Sequence, residues 1–152
     1  MSKTFQILSK SQEETKNIAR MAALFFYPGD LIILDGDLGA GKTHFVKGFT
    51  EGYSSKDLVT SPTFSIANFY RTNKFDILHI DLYRISTVEE FKDLGLTDYF
   101  DQSIVLIEWG KKFEDYFDEY MLVSFESKGD NERLIMFAGN DKRIDELKNK
   151  LC

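Results

Sequence analysis

The stretch Gly36-Asp37-Leu38-Gly39-Ala40-Gly41-Lys42-Thr43 restricts the possible folds of this chain more than any other, because of what flanks it. Before it runs Leu31-Ile32-Ile33-Leu34, apolar without alternation, the pattern of a strand buried on both faces of a sheet. After it, residues from about Lys42 to Tyr53 read as a helix. Three glycines let the backbone between them turn so that successive N–H groups point inward at one anion, free of side-chain clash. The helix adds its own unpaired N–H groups and the positive end of its dipole. The spacing satisfies G-x-x-x-x-G-K-[ST] in full. Asp37, Leu38, Gly39, Ala40 and Gly41 are therefore expected to cradle the phosphates of a nucleotide. Lys42 is expected to reach the β- and γ-phosphates, and the Thr43 hydroxyl to bind Mg²⁺. A glycine-rich turn with a chance lysine is the alternative, and the strand before and helix after speak against it.

The rest of the chain supplies the frame. Thr4 to Leu8 reads as a first strand, and Ser11 with Glu14 as a capping box opening a helix that carries Ile18, Ala22, Phe25 and Phe26 and stops near Pro28-Gly29. Phe64 to Arg71 and Ile77 to Asp81 read as strands joined through Thr72-Asn73-Lys74, with a short helix from Thr87 to Asp93. Ile104 to Ile107 is a second buried strand; Met121–Ser127 and Arg133–Ala138 form a closing hairpin; Asp141–Leu151 is a terminal helix. No repeat or Pro/Gly-rich linker divides the chain. These readings predict one P-loop NTPase domain over residues 1–152, a three-layer α/β/α fold with a mixed, mainly parallel sheet.

Hydrolysis needs acids that hold Mg²⁺ and place water, and in such sheets they sit at the carboxyl ends of parallel strands. Asp81 ends Ile77-Leu78-His79-Ile80, and Glu108 ends Ile104-Val105-Leu106-Ile107. Either could instead cap a following helix. The segment Thr60-Ser61-Pro62-Thr63-Phe64 lies where many P-loop proteins sense the γ-phosphate, with Thr63 as the candidate contact; an ordinary loop is the other reading. Asn73-Lys74-Phe75-Asp76 matches the guanine-reading N-K-x-D, but it precedes Asp81 and falls in the expected hairpin. His79 reads as a core histidine, His44 as a surface or packing residue, and Trp109 as either a core residue or a neighbour of the nucleotide.

The formal charge is −6, and the basic residues are scattered, which argues against autonomous binding of nucleic acid. The single cysteine, Cys152, excludes an intrachain disulfide and agrees with a reducing, cytoplasmic setting. Met21 to Tyr27, the longest apolar stretch, falls far short of the ~20 residues of a membrane span. Residues 1–14 lack the apolar core of a signal peptide.

Taken in order, the loop at 36–43, Ser61-Pro62-Thr63-Phe64, His79-Ile80-Asp81-Leu82-Tyr83-Arg84, Gly95-Leu96 with Asp98-Tyr99-Phe100, and Ile107-Glu108-Trp109 resemble the bacterial TsaE (YjeE) ATPases of tRNA threonylcarbamoyladenosine synthesis. The resemblance implies ATP at residues 36–43, Mg²⁺ held by Thr43 and Glu108, and Asp81 as the acid supporting metal and attacking water. It also implies nucleotide contacts near Ser11 and Arg133. Many relatives carry an acid at the first of these positions, and many follow Glu-Trp with proline where this chain has Gly110. The partners implied are TsaB and TsaD, with tRNA reached only through them. A small-molecule kinase and a nucleotide-sensing scaffold are the competing readings; the first usually needs an arginine-bearing lid, and only Arg20, Arg71, Arg84, Arg133 and Arg143 are present.

Overall fold

The computed structural model describes residues 3–37, 39, 41–57, 59 and 66–152. In chain order the elements are β1 (Lys3–Ser9), α1 (Gln12–Ala23), β2 (Leu31–Asp35), α2 (Lys42–Gly52), β3 (Ala67–Arg71), β4 (Asp76–Asp81), α3 (Val88–Asp93), β5 (Ser103–Glu108), β6 (Met121–Ser127), β7 (Arg133–Gly139) and α4 (Asp141–Leu151). Two 3₁₀ stretches, Leu96–Gln102 and Lys111–Tyr116, flank β5.

One seven-stranded sheet runs in the order β1-β7-β6-β2-β5-β4-β3. Its centre, β6-β2-β5-β4, is parallel, as expected for runs buried on both faces. Its flanks are antiparallel: β3 on β4, β7 on β6, and β1 on β7. The short β3–β4 and β6–β7 connections can only reverse the chain, so the parallel character is confined to the middle. The N-K-x-D match falls in the β3–β4 turn, where the Thr72 N–H donates to Phe75 O at 3.0 Å.

Alternate residues of the central strands feed two separate cores. Ile32, Leu34, Ile77, Ile104 and Leu106 pack with Ile18 and Ala22 of α1, Phe45 and Phe49 of α2, and Ile144 and Leu147 of α4. Leu31, Ile33, Leu78, Val105 and Ile107 pack on the other face with Phe91 of α3 and with Phe113 and Phe117. That is a sheet between two covering layers. Among the described residues, no helix is long and apolar enough to cross a membrane.

α1 ends at Ala23, earlier than Pro28-Gly29. Beyond it the backbone tightens, with Phe25 N–H on Ala22 O at 3.1 Å and Phe26 N–H on Ala23 O at 2.9 Å. The Tyr53 hydroxyl, just past the end of α2, sits between the carbonyls of Ala23 and Phe26 and offers them its one hydrogen; Phe26 N–H already serves Ala23 O, so the hydroxyl matters most to Phe26 O. Burial, with Asp30 adding to it, drives the Tyr53 pKa upward. Tyr53→Phe removes the donor, and while Ala23 O keeps the Phe26 N–H, Phe26 O loses its side-chain partner; we expect a loss of about 1–2 kcal/mol. A urea midpoint equal to that of the unaltered chain, at equal slope, would show that water replaces the hydroxyl without loss.

Candidate functional site

The loop after β2 turns as the glycines allow. Gly36, Gly39 and Gly41 have φ of 149°, 77° and 107°, a region that disfavours any residue with a Cβ. Gly41 opens α2 without a side-chain cap, and no acid stands in the first turn. The amide end of α2 therefore meets the loop with its positive partial charge uncompensated by any carboxylate of its own first turn. Lys42 is 5% exposed. Its ammonium donates to Gly36 O at 2.7 Å and lies 4.6 Å from the centre of the Trp109 ring. Leu38 and Ala40 lie outside the described residues, as does the whole Thr60–Phe64 segment with Thr63.

The two acids stand side by side. Parallel pairing sets Asp81 opposite Glu108 and His79 opposite Leu106 at the carboxyl ends of β4 and β5. The parity of Ile77, Ile104 and Leu106 puts both acids on the face covered by α2. Neither caps a helix. Asp81 Oδ1 accepts the Tyr83 N–H at 2.9 Å, closing a local turn, whereas α3 begins later under a Thr87 cap. Burial raises the Asp81 pKa; the Tyr83 N–H opposes the shift, and the Glu108 charge adds to it. The sign follows: ionising Asp81 is harder in this fold than in an open chain, so any stability from its protonated form is lost as pH rises through the raised value. Glu108 is 5% exposed. Its Oε2 lies 2.6 Å from His79 Nε2 and its Oε1 lies 3.9 Å from Lys42 Nζ.

A cavity of ≈ 260 Å³ brings together Ser11, Gly39, Gly41, Lys42, Thr43, Glu108 and Arg133, all expected from the sequence. Asp81 is not in its lining and adjoins it through Glu108. Asp37 faces a neighbouring hollow, shared with Gly36, Gly39 and Arg133. Ser11 also caps α1, its hydroxyl accepting the Glu14 N–H at 3.0 Å, as the capping-box reading required. Arg133 spans from β7 to the loop: Nη2 donates to Gly39 O and Nη1 to Gly129 O, each at 3.1 Å. Its Nε is buried without a hydrogen-bond partner.

Gln12, Thr15, His44 and Asn131 also line this cavity, and reading the sequence missed them. Thr15 lies one helical turn beyond Ser11, a spacing that could have flagged it; Asn131 sits in the β6–β7 turn and carried no signal. Burial, then the cations Lys47, Lys16 and Arg133, lower the pKa of His44. The cavity is thus positive on the helix side and acidic at the strand ends.

The family model described as "Threonylcarbamoyl adenosine biosynthesis protein TsaE" matches residues 9–135, from the end of β1 into β7. The chain belongs to the TsaE family. A Bacillus subtilis relative, named a tRNA threonylcarbamoyladenosine biosynthesis protein TsaE, is 42% identical over 141 residues, covering 91% of this chain and 88% of its own. A Treponema pallidum protein of the same name is 31% identical over 133 residues, covering 86% of this chain and 98% of its own. Among solved structures, that of Bacillus subtilis YdiB superposes with a TM-score of 0.78 at 36% identity, over 99% of this chain and 95% of that one. The match to the TsaE family takes in Ser11, the loop, Asp81, Glu108 and Arg133, so the cavity lies within the shared part of the chain.

Proposed function

We propose that this chain is a P-loop NTPase domain over residues 1–152 that serves as the Mg²⁺-dependent ATPase of tRNA threonylcarbamoyladenosine biosynthesis, working in the cytoplasm with TsaB and TsaD. The observation that carries the proposal is the pairing of Asp81 with Glu108 at adjacent strand ends, Glu108 lying 3.9 Å from the buried lysine of a glycine-rich loop. A phosphate cradle alone needs no carboxylates; two of them beside it suit metal-assisted hydrolysis. The names of the relatives support the pathway, and TsaB and TsaD enter through the family resemblance.

The residues present fit a magnesium nucleotide. The uncapped amide end of α2, the Arg133 guanidinium in the cavity lining and the buried Lys42 ammonium all suit polyphosphate oxygens. Among the described residues no group of three or more His, Cys, Asp or Glu could hold a metal ion by itself. Mg²⁺ takes one or two protein ligands and completes its shell with phosphate oxygens and water. Thr43 and Glu108 would hold the ion, which when bound neutralises charge on the transferred phosphoryl group. Lys42 binds the β- and γ-phosphates, Asp81 supports the metal and orients the attacking water, and Ser11 and Arg133 close the nucleotide from α1 and β7. Backbone groups of residues 37–41, and Thr63 from the preceding segment of β3, complete the contacts.

The purified chain should hydrolyse ATP slowly, and addition of TsaB and TsaD should accelerate it. Depleting the protein should lower threonylcarbamoyladenosine in tRNA. Transfer of phosphate to a metabolite in preference to water, with tRNA unchanged, would refute the proposal.

A further inference from the structure

Two opposite charges buried side by side attract strongly, because the interior screens them poorly. Lys42 and Glu108 are each 5% exposed, yet their nearest charged atoms stay 3.9 Å apart, beyond a direct hydrogen bond. Something holds them off one another. Lys42 is drawn to Gly36 O at 2.7 Å and to the Trp109 face. Glu108 is drawn the other way, Oε2 lying 2.6 Å from His79 Nε2. His79 is completely buried, on the strand beside Glu108, and its Nδ1 lies 3.2 Å from the Tyr70 hydroxyl on β3. A carboxylate oxygen can only accept, so Nε2 carries a proton and donates, while the Tyr70 hydroxyl holds the ring from its Nδ1 side. The hydroxyl steadies the ring, and the ring steadies the acid.

We infer that His79, backed by Tyr70, is a positioning residue that anchors the Glu108 carboxylate against β4 and prevents it from capturing Lys42, which keeps the lysine available for a nucleotide's phosphates. This rests on the phosphate-site reading above and adds to it a residue that touches neither nucleotide nor metal. In its absence Glu108 swings onto the ammonium, and binding a triphosphate must first break that ion pair. The effect precedes any metal, so it is measurable without one.

The test is ATP affinity by calorimetry in EDTA, on the full chain, with folding checked by circular dichroism. His79→Leu is expected to weaken ATP binding by about tenfold, the size of one charge-assisted hydrogen bond. Adding Glu108→Gln, which leaves no carboxylate to capture the lysine, is expected to return affinity to within about twofold of Glu108→Gln alone, the mark of coupling between the two sites. A loosened fold would not be rescued in this way. Should His79→Leu fail to fold, His79→Gln and His79→Asn decide: the glutamine amide reaches where Nε2 stood and retains affinity, whereas asparagine is too short and loses it. Unchanged affinity in His79→Leu, no rescue by Glu108→Gln, or equal affinity of the Gln and Asn variants overturns the inference alone. An unaltered chain that binds no ATP, with or without Mg²⁺, overturns the phosphate-site reading together with it.

Discussion

Gly48→Ala is expected to destabilise this protein by about 2–4 kcal/mol, although on propensity alone alanine in mid-helix gains nearly 1 kcal/mol over glycine. The sign is inverted by packing. A Cβ at position 48 would lie 2.2 Å from Lys16 O and 2.8 Å from Lys16 C and Cα, all of it backbone in the middle of α1. No rotamer change relieves a collision with a main chain; the helices themselves must part. Gly52, one turn on, is nearly as tight, its Cβ meeting Ala23 Cβ at 2.7 Å and Arg20 O at 2.9 Å. The two glycines form a groove on α2 that α1 enters with the backbone of Lys16 and Arg20 and the small, fully buried side chain of Ala23. The change should appear as a lower urea midpoint, and a midpoint above that of the unaltered chain would refute the close-packing account. Nucleotide affinity should fall too, because α2 carries Lys42 and Thr43 while α1 carries Ser11, Gln12 and Thr15 into the same cavity.

That groove also marks where the sequence stops being legible. Gly48 and Gly52 read from the sequence only as helix-weakening residues, because close approach of two helices is a property of the pair. The loop at 36–43 was legible, since its glycines answer to backbone geometry that a local pattern records. So were Asp81 and Glu108, each an acid ending an apolar run. Their registration was not: which strands neighbour one another depends on contacts distant in sequence, such as Ile33 beside Ile107. For the same reason β1 gave no sign that it would pair along its length with β7 at the far end of the chain. His79 was taken for a core histidine, and it is buried; its bond to Glu108 appears only once β4 and β5 are adjacent. The end of α1 is met by a tyrosine hydroxyl thirty residues downstream of Ala23, a tertiary contact no local rule predicts.

Lys42→Ala is expected to reduce triphosphate affinity by about 100-fold, or 2.7 kcal/mol, whether or not Mg²⁺ is present. The ammonium is the buried cation of the loop, and the 2.7 Å bond to Gly36 O is one it can exchange for phosphate oxygens. Thr43→Val, isosteric and lacking only the hydroxyl, separates the metal's contribution from the lysine's. Its affinity in EDTA should match that of the unaltered chain, whereas the gain on adding Mg²⁺ should shrink, if the hydroxyl serves the ion and not the phosphates as proposed. Thermal melting reads both variants: a ligand at about 100 times its Kd adds about 2.7 kcal/mol to the folded state and raises the melting temperature accordingly. Lys42→Ala should lose that rise in both buffers, and Thr43→Val only with Mg²⁺. If Lys42→Ala melts higher with ATP to the same extent as the unaltered chain, the glycine-rich loop is not where the triphosphate sits, and the roles given to Asp81 and Glu108 lose their ground with it.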